Sequence, residues 1–393
     1  MSNGGTVLVG NNEDYNLEGN IWFVPPSGNK NGRITFGFDN GWSQGGMNDK
    51  GLFFDWAATT QTAWEYSAEK ITYMDHTVRG AYHICEMIME ECSSTEEAIE
   101  IFNRYNVPGL KSSHPMFVDQ TGGSAIIEWG NNALAVQRKD KSYQVLTNFN
   151  LSNPSIGWFP CWRYNLVNKI LEENIEPTVE LFRTILDTVH QEGQYHTVYS
   201  NVYDVKNGDI YVYHKYNFDE VLKIHIQNEL KKGSRTFKLF SLFSNIKMIY
   251  PEHKQMIRSN SLTFKWSGSG KMYELYYSTH LDFKDCQPIR VFNSVDAGFD
   301  NFIFFSLFFI LFSMPHVVKI PRYFLCIVII MGMILFSCEK NENILSGGSS
   351  SNGIFQYTVH ALKSNSLYYW KICPMNSKEL KTESVIKSFT TFN

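Results

Sequence analysis

The sequence predicts an α+β protein that opens with a mixed domain of sheets and helices and closes with a strand-rich sandwich. Three observations predict it. Short apolar runs with period-two alternation, bounded by Gly and Asn clusters, fill residues 1 to 60 and return at 115–149 and 196–213. Helical patterns, with apolar residues three and four apart, lie between these strand regions. After Lys232 and Gly233 the composition shifts to alternating strands carrying Trp266, Tyr273, Tyr369 and Trp370.

Taken in order, TVLVG from Thr6, NIWFVPP, RITFGF and GLFFDWAAT read as strands. A helix is expected over Tyr73–Glu91, with Val78, Ala81, Tyr82, Cys85, Ile88 and Met89 on one apolar stripe. A second helix should begin at SSTEEA, where Ser93 or Ser94 with Glu96 or Glu97 forms a capping box, and run to about Arg104. PMFVDQ, GSAIIEWG, ALAVQR and YQVLTNF then read as strands, followed by helices over Trp162–Glu172 and Thr178–Gln191. HTVYSNVYDV and DIYVYHKY make the last pair of this region, joined by a turn at Lys206, Asn207 and Gly208.

These shifts divide the chain into residues 1–240, a sandwich made of 241–297 and 353–393, and an insertion at 298–352. The sandwich resembles a fibronectin type III domain, with Trp266 and Trp370 in its core. The insertion holds two apolar runs, Phe302–Phe312 and Phe324–Phe336, separated by Pro315, Lys319, Pro321 and Arg322. At about 1.5 Å per residue, each run alone falls short of a hydrocarbon core roughly 30 Å thick. Two readings stand. Lys319 and Arg322, an apolar stretch and then Leu335-Phe336-Ser337-Cys338 are similar to a lipoprotein signal, which belongs at an N-terminus. The reading we adopt is an insertion that associates with a membrane through 302–336 and returns by a flexible linker at Ser346–Gly353.

The chain has 393 residues, a formal net charge of -4 and no basic run, which argues against a nucleic-acid role. Its seven cysteines show no CxxC pair and no zinc-type spacing with histidine. Cys85 and Cys92 fall two turns apart on one helix, roughly 10 Å, too far for a disulfide. Met1 is followed by Ser2, Asn3, Gly4 and Gly5 with no signal-peptide pattern. A cell-envelope location, on the periplasmic or extracellular side, is expected if a signal precedes this sequence.

The blocks TVLVGNNEDY, GGMNDKGL, VLTNFN, PCWRY and HTVYSNVYDVKNGDIYVY, in that order, resemble the linear-amide C–N hydrolases of the N-terminal-nucleophile superfamily. That family includes choloylglycine hydrolases, penicillin V acylases and acyl-coenzyme A:6-aminopenicillanic acid acyltransferases. The resemblance covers about the first 240 residues and implies a four-layer αββα sandwich acting on a small-molecule N-acyl amide without cofactor or metal. In such enzymes an N-terminal cysteine attacks, its α-amine is the base, a carboxylate orients the amine and amide donors stabilise the oxyanion. The match assigns Asp14 to the carboxylate, Asn148 to the oxyanion donor and Arg163 to the arginine near the nucleophile.

Two departures follow. The family's frequent arginine three residues before the aspartate is Asn11 here, and no cysteine precedes Asp14. The resemblance places the nucleophile in a strand about 5 residues upstream of Met1, so these 393 residues are expected to be inactive by themselves.

Other readings stay open. Asp14 alone fits turn chemistry, Asn148 alone is a strand-end residue, and Arg163 alone is a surface residue at a helix start. Cys161 is a rival nucleophile that also fits a buried structural thiol. Asp55 and Trp56 either line the acyl pocket or form a strand-end core pair. His76, His83, His190 and His196 make no metal-ligand pair. The rival to an enzyme is a catalytically silent, surface-attached binding protein.

Overall fold

Alternation along the strands decides which side chains fill the space between two stacked sheets and which meet the helices outside. The computed structural model describes residues 1–72, 84–292 and 353–392. They form two units, Met1–Phe243 and Ser244–Asn393.

In the first unit the strands are β1 (Ser2–Asn3), β2 (Thr6–Tyr15), β3 (Gly19–Val24), β4 (Arg33–Phe38), β5 (Ser43–Asn48), β6 (Leu52–Ala58), β7 (Ile71–Thr72), β8 (Tyr105–Asn106), β9 (Ser113–Asp119), β10 (Ser124–Gly130), β11 (Ala133–Arg138), β12 (His196–Asp204), β13 (Asp209–His214), β14 (Glu220–His225) and β15 (Arg235–Lys238). The helices are α1 (Ile84–Glu91), α2 (Thr95–Arg104), α3 (Trp162–Glu173), α4 (Val179–Thr188), α5 (Ile226–Leu230) and α6 (Leu239–Leu242). One sheet runs β1-β2-β12-β13-β14 and the other runs β11-β10-β9-β6-β5-β4-β3-β15. Phe36 and Phe53 of the second sheet meet Tyr199 and Tyr203 of the first, with Phe53 and Tyr203 ring centroids 4.8 Å apart. This is the aromatic core between the sheets.

Helices cover both outer faces. On one side α1 and α2 bury Cys85, Ile88, Met89, Ala98 and Phe102 against Leu52, Phe54, Phe117 and Ile127. The capping box falls on Ser94 and Glu97, and it fixes the first turn of α2 by satisfying donors at both ends of the box. On the other side α4 lies across β2. A Cβ at Gly10 would stand 2.9 Å from Phe182 Cδ1, so the bare glycine is what allows this approach. The layers are αββα, as the family resemblance implied.

Several elements differ from the sequence reading. Of the helix expected over Tyr73–Glu91, residues 73–83 lie outside the described residues, and with them His76 and His83. Thr178 caps α4, which ends at Thr188, three residues short of the expected Gln191. YQVLTNF forms no ladder strand. Its alternation matches a strand, but side chains and isolated backbone bonds hold it, including Trp158 N–H to the Asn148 carbonyl at 2.9 Å. β14 was not anticipated.

The second unit contains β16 (Lys247–Tyr250), β17 (Gln255–Ile257), β18 (Leu262–Ser267), β19 (Met272–Ser278), β20 (Ile289–Phe292), β21 (Ile354–Val359), β22 (Leu367–Pro374), β23 (Thr382–Ser384) and β24 (Lys387–Thr391). A sheet β16-β18-β21 packs on a sheet β17-β24-β22-β19-β20. Strands from either side of residues 293–352 pair directly, β18 with β21 and β19 with β22. Trp266 and Trp370 are both fully buried in this core. The two apolar runs and residues 346–352 of the expected linker lie outside the described residues; among the described residues no helix is long and apolar enough to cross a membrane.

Candidate active site

A cavity of about 560 Å³ follows β2 along its whole length, from Val7 to Tyr15. Its other walls come from β6, from α4 and α3, and from the irregular segment that carries Thr147 and Asn148. Because side chains alternate along β2, Asn12 and Asp14 turn toward the helices while Asn11 and Glu13 turn toward the second sheet. The contacts agree with this division. Asn12 Nδ2 donates to the Leu186 carbonyl on α4, and Glu13 lies close enough to Asp55 of β6 for the two carboxyls to repel.

On the helix side Asp14 is held by three donors. Thr197 Oγ1 donates to Oδ1 at 2.6 Å, while Arg163 and the Gln191 amide both donate to Oδ2, the arginine at 3.1 Å. Burial pushes the Asp14 carboxyl up, against the downward pull of Thr197, Gln191 and Arg163. Arg163 stands in the first turn of α3, and its second arm donates to Asn148 Oδ1 at 2.8 Å. One guanidinium fork thus ties Asp14 to Asn148 across a large sequence separation. Since a guanidinium only donates, it also sets the amide's orientation: Oδ1 faces Arg163, and Nδ2 is free to turn its hydrogens elsewhere. One of them goes to the Ala58 carbonyl at 2.9 Å, which leaves the second for a ligand.

The segment bearing Asn148 has a buried support. His114 of β9 donates from Nε2 to the Thr147 carbonyl at 2.8 Å, and its Nδ1 lies 3.2 Å from Glu128. Glu128 in turn accepts from the backbone N–H groups of Leu151 and Ser152. Burial pushes its carboxyl up, yet the bonds from His114 and Ser152 prevail and hold it below the ordinary range.

All of the residues singled out by sequence, Asn11, Asp14, Asp55, Trp56, Asn148 and Arg163, line the one cavity. Cys161 does not line it; it is buried at the start of α3. Trp56 donates from Nε1 to Cys85 Sγ at 3.0 Å, anchoring the indole to α1. Gln191, Thr197 and Glu13 were missed. Thr197 was accessible in principle from strand pairing, since β12 sets it directly opposite Asp14. Among the described residues no group of three or more His, Cys, Asp or Glu side chains is placed to hold a metal ion.

The Glu13 and Asp55 carboxyls are both held well above the ordinary carboxylate range, by burial first and, for Glu13, also by repulsion from Asp55 and Asp14. A carboxyl raised in the folded state binds more protons folded than unfolded. Stability therefore falls as pH climbs from the unfolded values, 4.5 for Glu13 and 3.8 for Asp55, through the raised folded ones. Glu13→Gln is expected to raise the melting temperature at neutral pH and to leave it unchanged below the ordinary carboxylate range. Thermal unfolding across a buffer series checks this, and a variant less stable at neutral pH contradicts it.

A buried acid, a guanidinium fork and an oriented amide thus share one cavity wall. The sequence of residues 3–217 matches the family of acyl-coenzyme A:6-aminopenicillanic acid acyl-transferases, and the chain belongs to that family of N-terminal-nucleophile amide hydrolases. Among solved structures, a variant of the conjugated bile acid hydrolase from Clostridium perfringens is similar at 19% identity, covering 60% of this chain and 94% of that one with a TM-score of 0.44. The penicillin V acylase from Agrobacterium tumefaciens is similar at 15% identity, covering 60% of this chain and 88% of that one with a TM-score of 0.40. A search of curated proteins finds no match.

Proposed function

We propose that the first unit cleaves the C–N bond of linear N-acyl amides, handing the acyl group to water or to an acceptor amine, through an acyl-enzyme on an N-terminal cysteine. The observation that carries this reading is the Arg163 fork joining Asp14 to Asn148 at the cavity wall. In this reading Asp14 orients the α-amine that takes the thiol proton. The thiolate then adds to the amide carbonyl, and Asn148 Nδ2 donates to the oxyanion. Collapse expels the amine, which leaves with a proton, and a second nucleophile resolves the thioester.

The hairpin supports a place for the thiol. β1 pairs with β2 through Ser2↔Val7 and Asn3↔Thr6, and Met1 and Leu8 exchange both backbone bonds. Carried backward in the same register, a preceding strand sets a residue about six positions before Met1 opposite Asp14. From Val9 to Tyr15 that edge of β2 has no strand partner among the described residues, and the cavity runs beside it.

The test compares residues 1–393 with the same chain led by such a strand and processed to an N-terminal cysteine. The extended chain is expected to hydrolyse simple N-acyl amides, to be silenced by thiol alkylation and to need no added metal, while residues 1–393 stay at background. Robust turnover by residues 1–393 would overturn the upstream nucleophile and bring Cys161 forward. A folded, processed chain inert on a broad amide panel would overturn the enzyme reading in favour of a silent binding protein.

A further inference from the structure

The face of β2 that the proposed catalysis does not use is the more unusual one. Glu13 and Asp55 both line the cavity between the sheets, and neither has a hydrogen-bond or ion-pair partner among the described residues. Asp55 Oδ2 is buried and unpartnered. Beside them, Tyr199, only 1% exposed, keeps its hydroxyl without a partner, close enough to both carboxyls to feel their charge. Tyr199 pairs across the ladder with Glu13, and Asn201 with Asn11. The Oδ1 atoms of Asn11 and Asn201 are likewise buried and unpartnered.

Such a set of oxygens has a definite complement. Ionised carboxylates only accept, and the amide oxygens only accept, so the missing partner is a group that donates several hydrogen bonds. An anion is repelled there, and an apolar group leaves the oxygens desolvated and unpaired. Of the cations that line the cavity, Arg163 is committed to Asp14 and Asn148, and Lys139 to the Ser2 hydroxyl and the Gly122 carbonyl. The walls suit a cation too, since Phe38 and Phe53 line the same cavity and aromatic ring faces attract positive charge. The sequence makes room for the acid: Gly45 lies opposite Asp55 on β5, and a Cβ there would stand 2.5 Å from Asp55 Oδ2.

We propose that this inter-sheet part of the cavity is a subsite for a cationic group, a primary ammonium or a guanidinium, carried by the amide substrate and held by Glu13, Asp55 and Asn11, which line it, with the unpartnered Tyr199 hydroxyl beside the two carboxyls. The assignment to substrate rests on the amidase reading above; the cation site itself rests on the oxygens. Burial keeps both carboxyls above their ordinary range in the empty cavity, so an entering cation displaces a proton, with Asp14, Tyr199 and Tyr203 the other titratable groups facing the pair.

Three ligands of one length and one amide separate the possibilities: N-acetylcadaverine, which ends in an ammonium, N-hexylacetamide, which ends in a methyl, and 6-acetamidohexanoate, which ends in a carboxylate. Binding to residues 1–393 is read by titration calorimetry and by quenching of the cavity tryptophans, Trp42 and Trp56; no turnover is needed. The ammonium ligand should bind at least about tenfold more tightly than the other two, releasing a proton, and Glu13→Gln or Asp55→Asn should each erase most of that preference. Equal affinity for the neutral ligand, absence of saturable ammonium binding, or an undiminished preference in both variants overturns the subsite. The wild-type ligand comparison decides the matter even if a variant misfolds. Ammonium-selective binding together with a folded, cysteine-led chain that hydrolyses no amide would sink the catalytic reading and leave the subsite standing. Efficient turnover of neutral amides without ammonium preference would do the reverse.

Discussion

On the proposed oxyanion role, alanine in place of Asn148 is expected to lower turnover of the cysteine-led enzyme by about 10² to 10³, the usual consequence of deleting one oxyanion donor. The geometry says why so small a change should matter. Arg163 fixes the amide so that nitrogen, not oxygen, faces away from the guanidinium, and Ala58 takes only one of its two hydrogens. The amide's orientation is thereby set before substrate arrives, which is the condition under which such a donor favours the transition state over the ground state. Asp14→Asn should impair the same enzyme differently. Thr197 donates to one carboxylate oxygen and Arg163 and Gln191 to the other, so whichever way the new amide turns, its NH₂ meets a donor, and the carboxylate proposed to orient the amine is lost. Steady-state kinetics on both variants, with circular dichroism to confirm folding, checks the pair. Near wild-type turnover for Asn148→Ala removes it from the chemistry.

Replacing Trp266 or Trp370 by alanine costs the second unit about 3 to 5 kcal/mol, the range for deleting a fully buried large aromatic. Both indoles are at 0% exposure. Trp266 stacks on Phe355 with centroids 5.9 Å apart, and Trp370 meets Phe264 at 5.1 Å. Neither Nε1 has a hydrogen-bond partner among the described residues, so the loss is one of packing and apolar burial alone. Chemical denaturation followed by the remaining tryptophans measures it, and a change near zero for both would mean that this core does not hold the sandwich together.

The scaffold was legible because its signals are local. Period-two alternation marked β2, β6, β9 and β12, and the SSTEEA box, read as Ser93 or Ser94 with Glu96 or Glu97, marked the start of α2 to within a residue. Asp14, Asn148 and Arg163 were legible only through the order of the blocks around them, since nothing in a lone aspartate or asparagine distinguishes a catalytic group from a turn. What escaped was set by pairing between distant strands. Thr197 and Gln191 become partners of Asp14 only once β12 lies against β2, and Glu13 becomes a cavity wall only once the second sheet brings Asp55 beside it. The stretch from Tyr143 to Phe149 misled for the opposite reason: its alternation was right, but no neighbouring strand completes a ladder there, and His114 and backbone bonds take over.

The pairing of β18 with β21 and of β19 with β22 has a further consequence, for the order in which the molecule is made. When β16 to β20 leave the ribosome, Phe264, Trp266, Tyr273 and Leu275 have no covering strands, because Phe355, Trp370 and Phe389 are still to be synthesised. At about 5 to 20 residues per second, translating the stretch from Phe292 to Gly353 takes on the order of 3 to 12 s. For that interval a half-built aromatic face is open to solvent. Loss to aggregation when translation stalls within 293–352 is therefore expected to start from this exposed aromatic face.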